Sequence, residues 1–141
     1  MNYQDIQNRM AMAQGTENYN LISPFCRRVV ATDSVIDVFE YASCFWIGDV
    51  VVSYYPKLKR CDETHIFYLS VNVKTDHSCM FKITREKYDY AKDKSITQTV
   101  ASQKIPFTDL PVGEYKFYIG VQPTDENFTD CYYVLMNLGD Y

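Results

Sequence analysis

Asp49 is the only carboxylate in CFWIGDVVVSYYP, residues 44–56, the most apolar run of the chain. An acid in such a place is either a general base or a local structural acceptor. General-base work needs a substrate proton within hydrogen-bond reach and a pocket that tunes the base. Asp33, Asp37, Glu40 and Asp109 are the acids available as neighbours, and no histidine lies in any of these segments. Short polar side chains serve turns and caps far more often than catalysis. Asp49 is therefore expected to fix a helix end or junction, and Asp109, in FTDLP, to cap a turn. An enzyme using Asp49 and Asp109 ranks last among the functional readings.

Two further groups carry chemistry. Cys61-Asp62-Glu63-Thr64-His65 sets a cysteine and a histidine four apart. It offers a thiolate or, at most, two metal ligands. His77 is the only other imidazole, at the far end of the strand that begins near His65. No catalytic residue, metal site or cofactor is expected, since the glycine-rich phosphate loop and the serine elbow are also missing from the sequence. Tyr54 and Tyr55, by contrast, directly precede Lys57, Lys59 and Arg60. Cations mixed with aromatics can clamp single-stranded RNA, or simply complement a helix C-terminus. Asp125 and Glu126, in the late polar loop, suit a protein partner. These seven residues are the candidate partner contacts.

The elements that must position them follow from length and pattern. A chain of 141 residues fits one domain. A formal charge of −4 makes free duplex DNA a poor partner. No apolar run is long enough for a membrane span, and the polar N-terminus lacks the apolar stretch of a signal peptide, so a cytoplasmic location is expected. The five cysteines are odd in number and widely spaced, which points to neither a disulfide framework nor a zinc site. Cys44, Cys79 and Cys131 have apolar neighbours and are expected in the core.

Thr32 is a good N-cap, and Ser34 to Asp37 has capping-box spacing. Val35, Val38, Phe39 and Ala42 then recur on one helical face, predicting a helix over 33–43. Trp46, Ile47, Val50, Val51 and Tyr54 continue a helical period over 45–54, ended by Pro56. From residue 66 the period changes to two. Phe67, Leu69, Val71 and Val73 alternate with polar neighbours, and Cys79, Phe81 and Ile83 complete a hairpin. SITQTVASQKI, EYKFYIGV and CYYVLM supply three more strands. The expected class is α+β, an N-terminal helical pair packed on a largely antiparallel sheet of about five strands. It forms a single domain over 1–141, with residues 1–15 a loosely attached N-terminal helix. Monomer and homodimer both remain open, since edge strands can pair.

The blocks GTENY (15–19), TDSV (32–35), FWIGD (45–49), FTDLP (107–111) and the terminal VLMNLGDY occur in an order that resembles an uncharacterised family of small bacterial and phage proteins. Ser34, Gly48 and the closing LGDY depart from that family's pattern. The resemblance implies a stand-alone domain carried on phages or other mobile elements, and it brings no catalytic residues. The reading that follows is a non-enzymatic binding or inhibitory protein that blocks a host defence component, a protein or ribonucleoprotein, by direct contact. Its sharpest form is an anti-CRISPR acting on an RNA-guided nuclease; the alternative is a small-ligand sequestering domain.

Overall fold

The computed structural model describes residues 1–12, 18–124 and 130–140. In chain order its elements are α1 (Tyr3–Ala11), β1 (Tyr19–Ser23), β2 (Cys26–Thr32), α2 (Asp33–Ala42), α3 (Trp46–Ser53), α4 (Tyr55–Lys59), β3 (Ile66–Val73), β4 (Cys79–Asp89), β5 (Lys94–Ile105), β6 (Gly113–Pro123) and β7 (Cys131–Met136). A 3-10 turn, Leu138–Asp140, closes the described chain.

The strands form one seven-stranded sheet in the order β1-β2-β7-β6-β3-β4-β5. Every pair is antiparallel except β2 with β7, which is parallel. This corrects the expected architecture. The molecule is mostly sheet, a seven-stranded mixed sheet with four helices, and not a helical pair on a five-stranded antiparallel sheet. The two strands missed lie in YNLISPFCRRVVAT, where Pro24 and the Arg27-Arg28 pair break the two-residue period. The second partner of β2, β7, lies near the other end of the chain, so no local signal announces the parallel pairing.

The alternation along β3, β4 and β6 holds to its period and builds the core. Phe67, Leu69, Val71, Phe81, Ile83, Tyr115, Phe117 and Ile119 are buried on the face that meets the helices. Against them α1 sets Ile6 and Met10, α2 sets Val35, Val38, Phe39 and Ala42, α3 sets Ile47 and Val51, and α4 sets Leu58. Phe39 is central, edge-on to Phe117 at 6.0 Å and to Phe45 at 5.8 Å. On the other face a small cluster forms from Val30, Val134 and Met136, with Tyr118 beside it. Cys44 and Cys79 are core residues, as expected, while Cys131 is half-buried.

Helix ends follow local chemistry. Thr32 Oγ1 accepts from the Val35 amide at 3.3 Å, the N-cap the sequence proposes. Ser34 does not form a capping box with Asp37; its hydroxyl turns to Asp140 instead. Ser43 ends α2 in the left-handed region, φ 53. Pro56 does not end a helix but opens α4, in whose first turn a missing N–H costs nothing.

Two glycines are explained by close approach. A Cβ on Gly48 would stand 2.8 Å from Ile22 Cγ2 and 3.2 Å from Phe39 Cε2, so Gly48 lets α3 lie against β1 and α2. A Cβ on Gly113, at φ +150, would stand 2.3 Å from the Tyr3 ring. Tyr3 donates to the Glu114 carbonyl at 2.9 Å and meets Tyr115 edge-on, docking α1 on the end of β6. Gly113→Ala is expected to cost about 1–3 kcal/mol, because backbone strain adds to the loss of Tyr3 from its seat. A lowered urea midpoint with faster proteolysis within residues 1–12 is the expected result. An unchanged midpoint would contradict the docking of α1 through Tyr3.

Candidate functional site

Helix α4 packs beside α3 and β5. The chain leaves α3 at Tyr54, turns at once into α4, and so presents Tyr54 and Tyr55 side by side against the sheet. Tyr54 stacks on Phe81, centroids 6.2 Å apart, and its hydroxyl donates to Gln103 Oε1 at 2.9 Å. Tyr55 meets Tyr133 edge-on at 5.8 Å. Burial raises the Tyr55 phenol above its ordinary range, with Cys26 and Asp130 adding and Arg28 opposing. Both rings are half-buried, so they are anchored walls and not free probes.

Helical spacing puts the cations over these walls. Lys57 Nζ lies 5.6 Å from the Tyr54 ring centre and Lys59 Nζ 5.8 Å from the Tyr55 ring centre. These are the i,i+3 and i,i+4 neighbours of a helix surface. Lys57, Lys59 and Arg60 are exposed, and none of them forms an ion pair among the described residues. Their charges also complement the C-terminus of α4. The structure thus brings together Tyr54, Tyr55, Lys57, Lys59 and Arg60 on one surface. Asp125 and Glu126 lie outside the described residues. Their loop neighbour Asp130 is paired with Arg28, whose guanidinium stands 4.7 Å over the Tyr132 ring.

The candidate acids part company. Asp49 is exposed in the first turn of α3, where a negative charge favours the helix dipole. Among the described residues nothing donates a hydrogen bond to it, so its part at this helix end is that of an exposed charge and not of a hydrogen-bonded junction. Asp109 is exposed beside Trp46, Val50 and Phe107 in a groove of about 420 Å³, which Asp49 does not line. Its expected capping role belongs to its neighbour: Thr108 Oγ1 accepts from the Leu110 amide at 3.2 Å. At the β3–β4 turn Asp76 does cap, accepting from the Ser78 amide and hydroxyl, and those bonds lower its pKa.

Cys61 and His65 share a groove of about 470 Å³ with Lys59 and Tyr133. His77 stands elsewhere, near Phe107. No group of three His, Cys, Asp or Glu is placed to hold a metal among the described residues. No described helix is long and apolar enough to cross a membrane.

Sequence reasoning missed two arrangements. The first lies at the N-terminus of α2. Asp140 Oδ2 accepts from Thr32 Oγ1 at 2.8 Å, from the Asn137 amide at 3.0 Å and from the Ser34 hydroxyl. Asn18 and Asn20 donate to Asp33 at 3.2 and 2.8 Å. Segments quoted above as separate blocks, TDSV, the end of GTENY and LGDY, therefore meet at one helix end, where two carboxylates oppose the positive dipole. With no imidazole in it, this cluster ties the last turn of the chain to α2. The second is Arg85, buried at the edge of a groove that Arg60 also lines. Its signal was present, because Arg85 is the next residue in the inward row Cys79, Phe81, Ile83.

No curated protein and no solved structure matches the chain. A family of unknown function, DUF6876, matches residues 4–138. The chain belongs to that family.

Proposed function

We propose that this protein is a non-enzymatic binding protein that acts by direct contact through the surface of α4. The observation that carries the reading is the seating of Lys57 and Lys59 over the rings of Tyr54 and Tyr55, with Arg60 beside them and no carboxylate among the described residues paired with the three cations. Such a surface holds rigid aromatic walls under exposed charge, which suits an anionic face of a protein or a ribonucleoprotein. Asp109 lines a groove that Asp49 does not, which favours contact over chemistry by this pair of acids. In its sharpest form the protein is a phage or mobile-element product that blocks a host defence component, such as an RNA-guided nuclease. The order of its sequence blocks supports that form.

Affinity capture from a bacterial host lysate, with mass spectrometry of protein and sequencing of RNA, tests the reading. A stoichiometric partner is expected with the wild-type chain and its loss with the Lys57→Glu, Lys59→Glu, Arg60→Glu variant. Hydrolysis of a substrate by the purified protein, abolished by Asp49→Asn with the fold intact, would overturn it.

A further inference from the structure

The inward row of β4 runs Cys79, Phe81, Ile83 and then Arg85, so a cation stands where the pattern calls for an aliphatic side chain. Only 9% of its surface is exposed. Nε donates to Gln98 Oε1 at 2.7 Å, while Nη1 donates to Thr64 Oγ1 at 2.9 Å and to the Asp62 carbonyl at 3.1 Å. All three acceptors are neutral, and Nη2 donates to no described protein atom. The ion pairs among the described residues are Arg9–Asp37, Arg28–Asp130 and Lys116–Glu114, so no carboxylate answers Arg85. A buried charge is normally paired, because losing its water is costly, and arginine cannot escape by giving up its proton. Nε and Nη1 are thus fixed by neutral acceptors, and Nη2 is the guanidinium nitrogen left to make further bonds.

Arg85 lies in the wall of a groove of about 560 Å³ together with Arg60, Thr64, Lys87, Tyr88 and Tyr90. That volume is in the usual range for small-molecule sites. Asp62, Glu63 and Glu86 also line it. Asp62 gives its main-chain carbonyl to Arg85, which leaves its carboxylate on the wall beside that of Glu63, and Glu86 accepts from Thr97 Oγ1 at 3.0 Å across the β4–β5 ladder. At the outer end Tyr88 and Tyr90 meet edge-on at 4.8 Å, with Tyr90 81% exposed.

We infer that this groove binds a nucleoside monophosphate. The phosphate sits against Arg85 Nη2 with Lys87 and Arg60 closing on it, since guanidinium and ammonium groups bind phosphate by charge-assisted hydrogen bonds. Glu63 accepts from ribose hydroxyls, as an acidic residue does in dinucleotide sites. The base lies on the Tyr90 ring, since every base has a face that stacks on an aromatic. The site shares only Arg60 with the surface of α4 and does not depend on a macromolecular partner.

The test is a titration of the 15N-labelled full chain, followed through backbone amides and arginine Nε–H signals, with 5′-AMP, ribose 5-phosphate, inorganic phosphate and adenosine. Saturable shifts at Arg85 Nε–H, Thr64 and Lys87 are expected with AMP. Ribose 5-phosphate and phosphate should move the same signals with affinity weaker on the order of tenfold, the share of the stacked base. Adenosine should move none of them. Arg85→Gln should abolish AMP binding if the variant folds. Lys87→Gln and Tyr90→Ala change exposed residues and keep the test independent of folding: the first should weaken AMP several-fold, the second should reduce it to the level of ribose 5-phosphate. No saturable shift at millimolar AMP would overturn the proposal. So would adenosine binding as tightly as AMP, or both exposed variants binding AMP as the wild type does.

Discussion

Phe39→Ala is expected to destabilise the protein by about 3–5 kcal/mol, the range for removing a fully buried aromatic ring. Phe39 is wholly buried and is the largest of the four side chains that α2 sets against the sheet. Its ring is edge-on to Phe117 on β6 and to Phe45 at the entry to α3. Gly48 of α3 also lies close against it. A cavity here is bounded by a helix, a helix entrance and a central strand, so no single element can move in to fill it. Against a total stability of about 5–15 kcal/mol, such a loss takes a large share of the margin. Urea unfolding of the variant checks this. A loss below about 1 kcal/mol would mean that the α2–α3 pair does not rest on the sheet through this ring.

The second large effect is alkaline. Burial pushes the Cys44 thiol from 9.0 up to about 12. Burial, with Cys131 and Tyr55 adding to it, pushes the Tyr133 phenol from 10.0 up to about 12, and burial first and then Tyr3 raises Tyr115 as well. In the folded chain these groups stay protonated while in the unfolded chain they ionise near their ordinary values. Above pH 9 the unfolded state therefore binds fewer protons, and stability falls as pH rises. Each such group contributes a slope of about 1.4 kcal/mol per pH unit inside its window. The loss is expected to begin near the ordinary pKa of Cys44, 9.0, and to steepen above 10.0, where the tyrosines join. Below pH 9 these groups contribute no pH dependence. Burial raises the Cys79 thiol above 9.0 as well, so Cys44→Ala should lose stability less steeply than the wild type from pH 9 to 10, whatever the new cavity costs at neutral pH. A wild-type stability that is flat across that interval would contradict the burial of this thiol.

What the sequence showed of this fold was its periodic part. Val35, Val38, Phe39 and Ala42 marked α2, and the alternation from Phe67 to Val73 marked β3, because each face is buried against one layer only. β1 and β2 escaped because their period is interrupted by Pro24 and by Arg27-Arg28, and because β2 is held by β7, a pairing that depends on the whole fold. Pro56 was legible as a break in α3 but not as the start of α4. Of the candidate surface, Tyr54 to Arg60 could be found because its members are neighbours in the chain. The cluster of Thr32, Ser34, Asn137 and Asp140 could not, since its parts come from opposite ends. Arg85 was hidden in plain alternation, where a charged residue at an inward position is read as the end of a strand. Asp49 stood out in composition, yet on a short helix its side chain simply points to solvent.

The claim on which the function rests is that the cations of α4 make the contact. Titration of the purified partner, once captured, against wild-type protein and against the Lys57→Glu, Lys59→Glu, Arg60→Glu variant measures it directly. At about 0.15 M salt the variant is expected to bind roughly a hundredfold more weakly or worse, as reversed charges at a contact do, with its urea midpoint unchanged. Equal affinity of the two proteins, with both folded, would contradict the assignment of α4 as the contact surface.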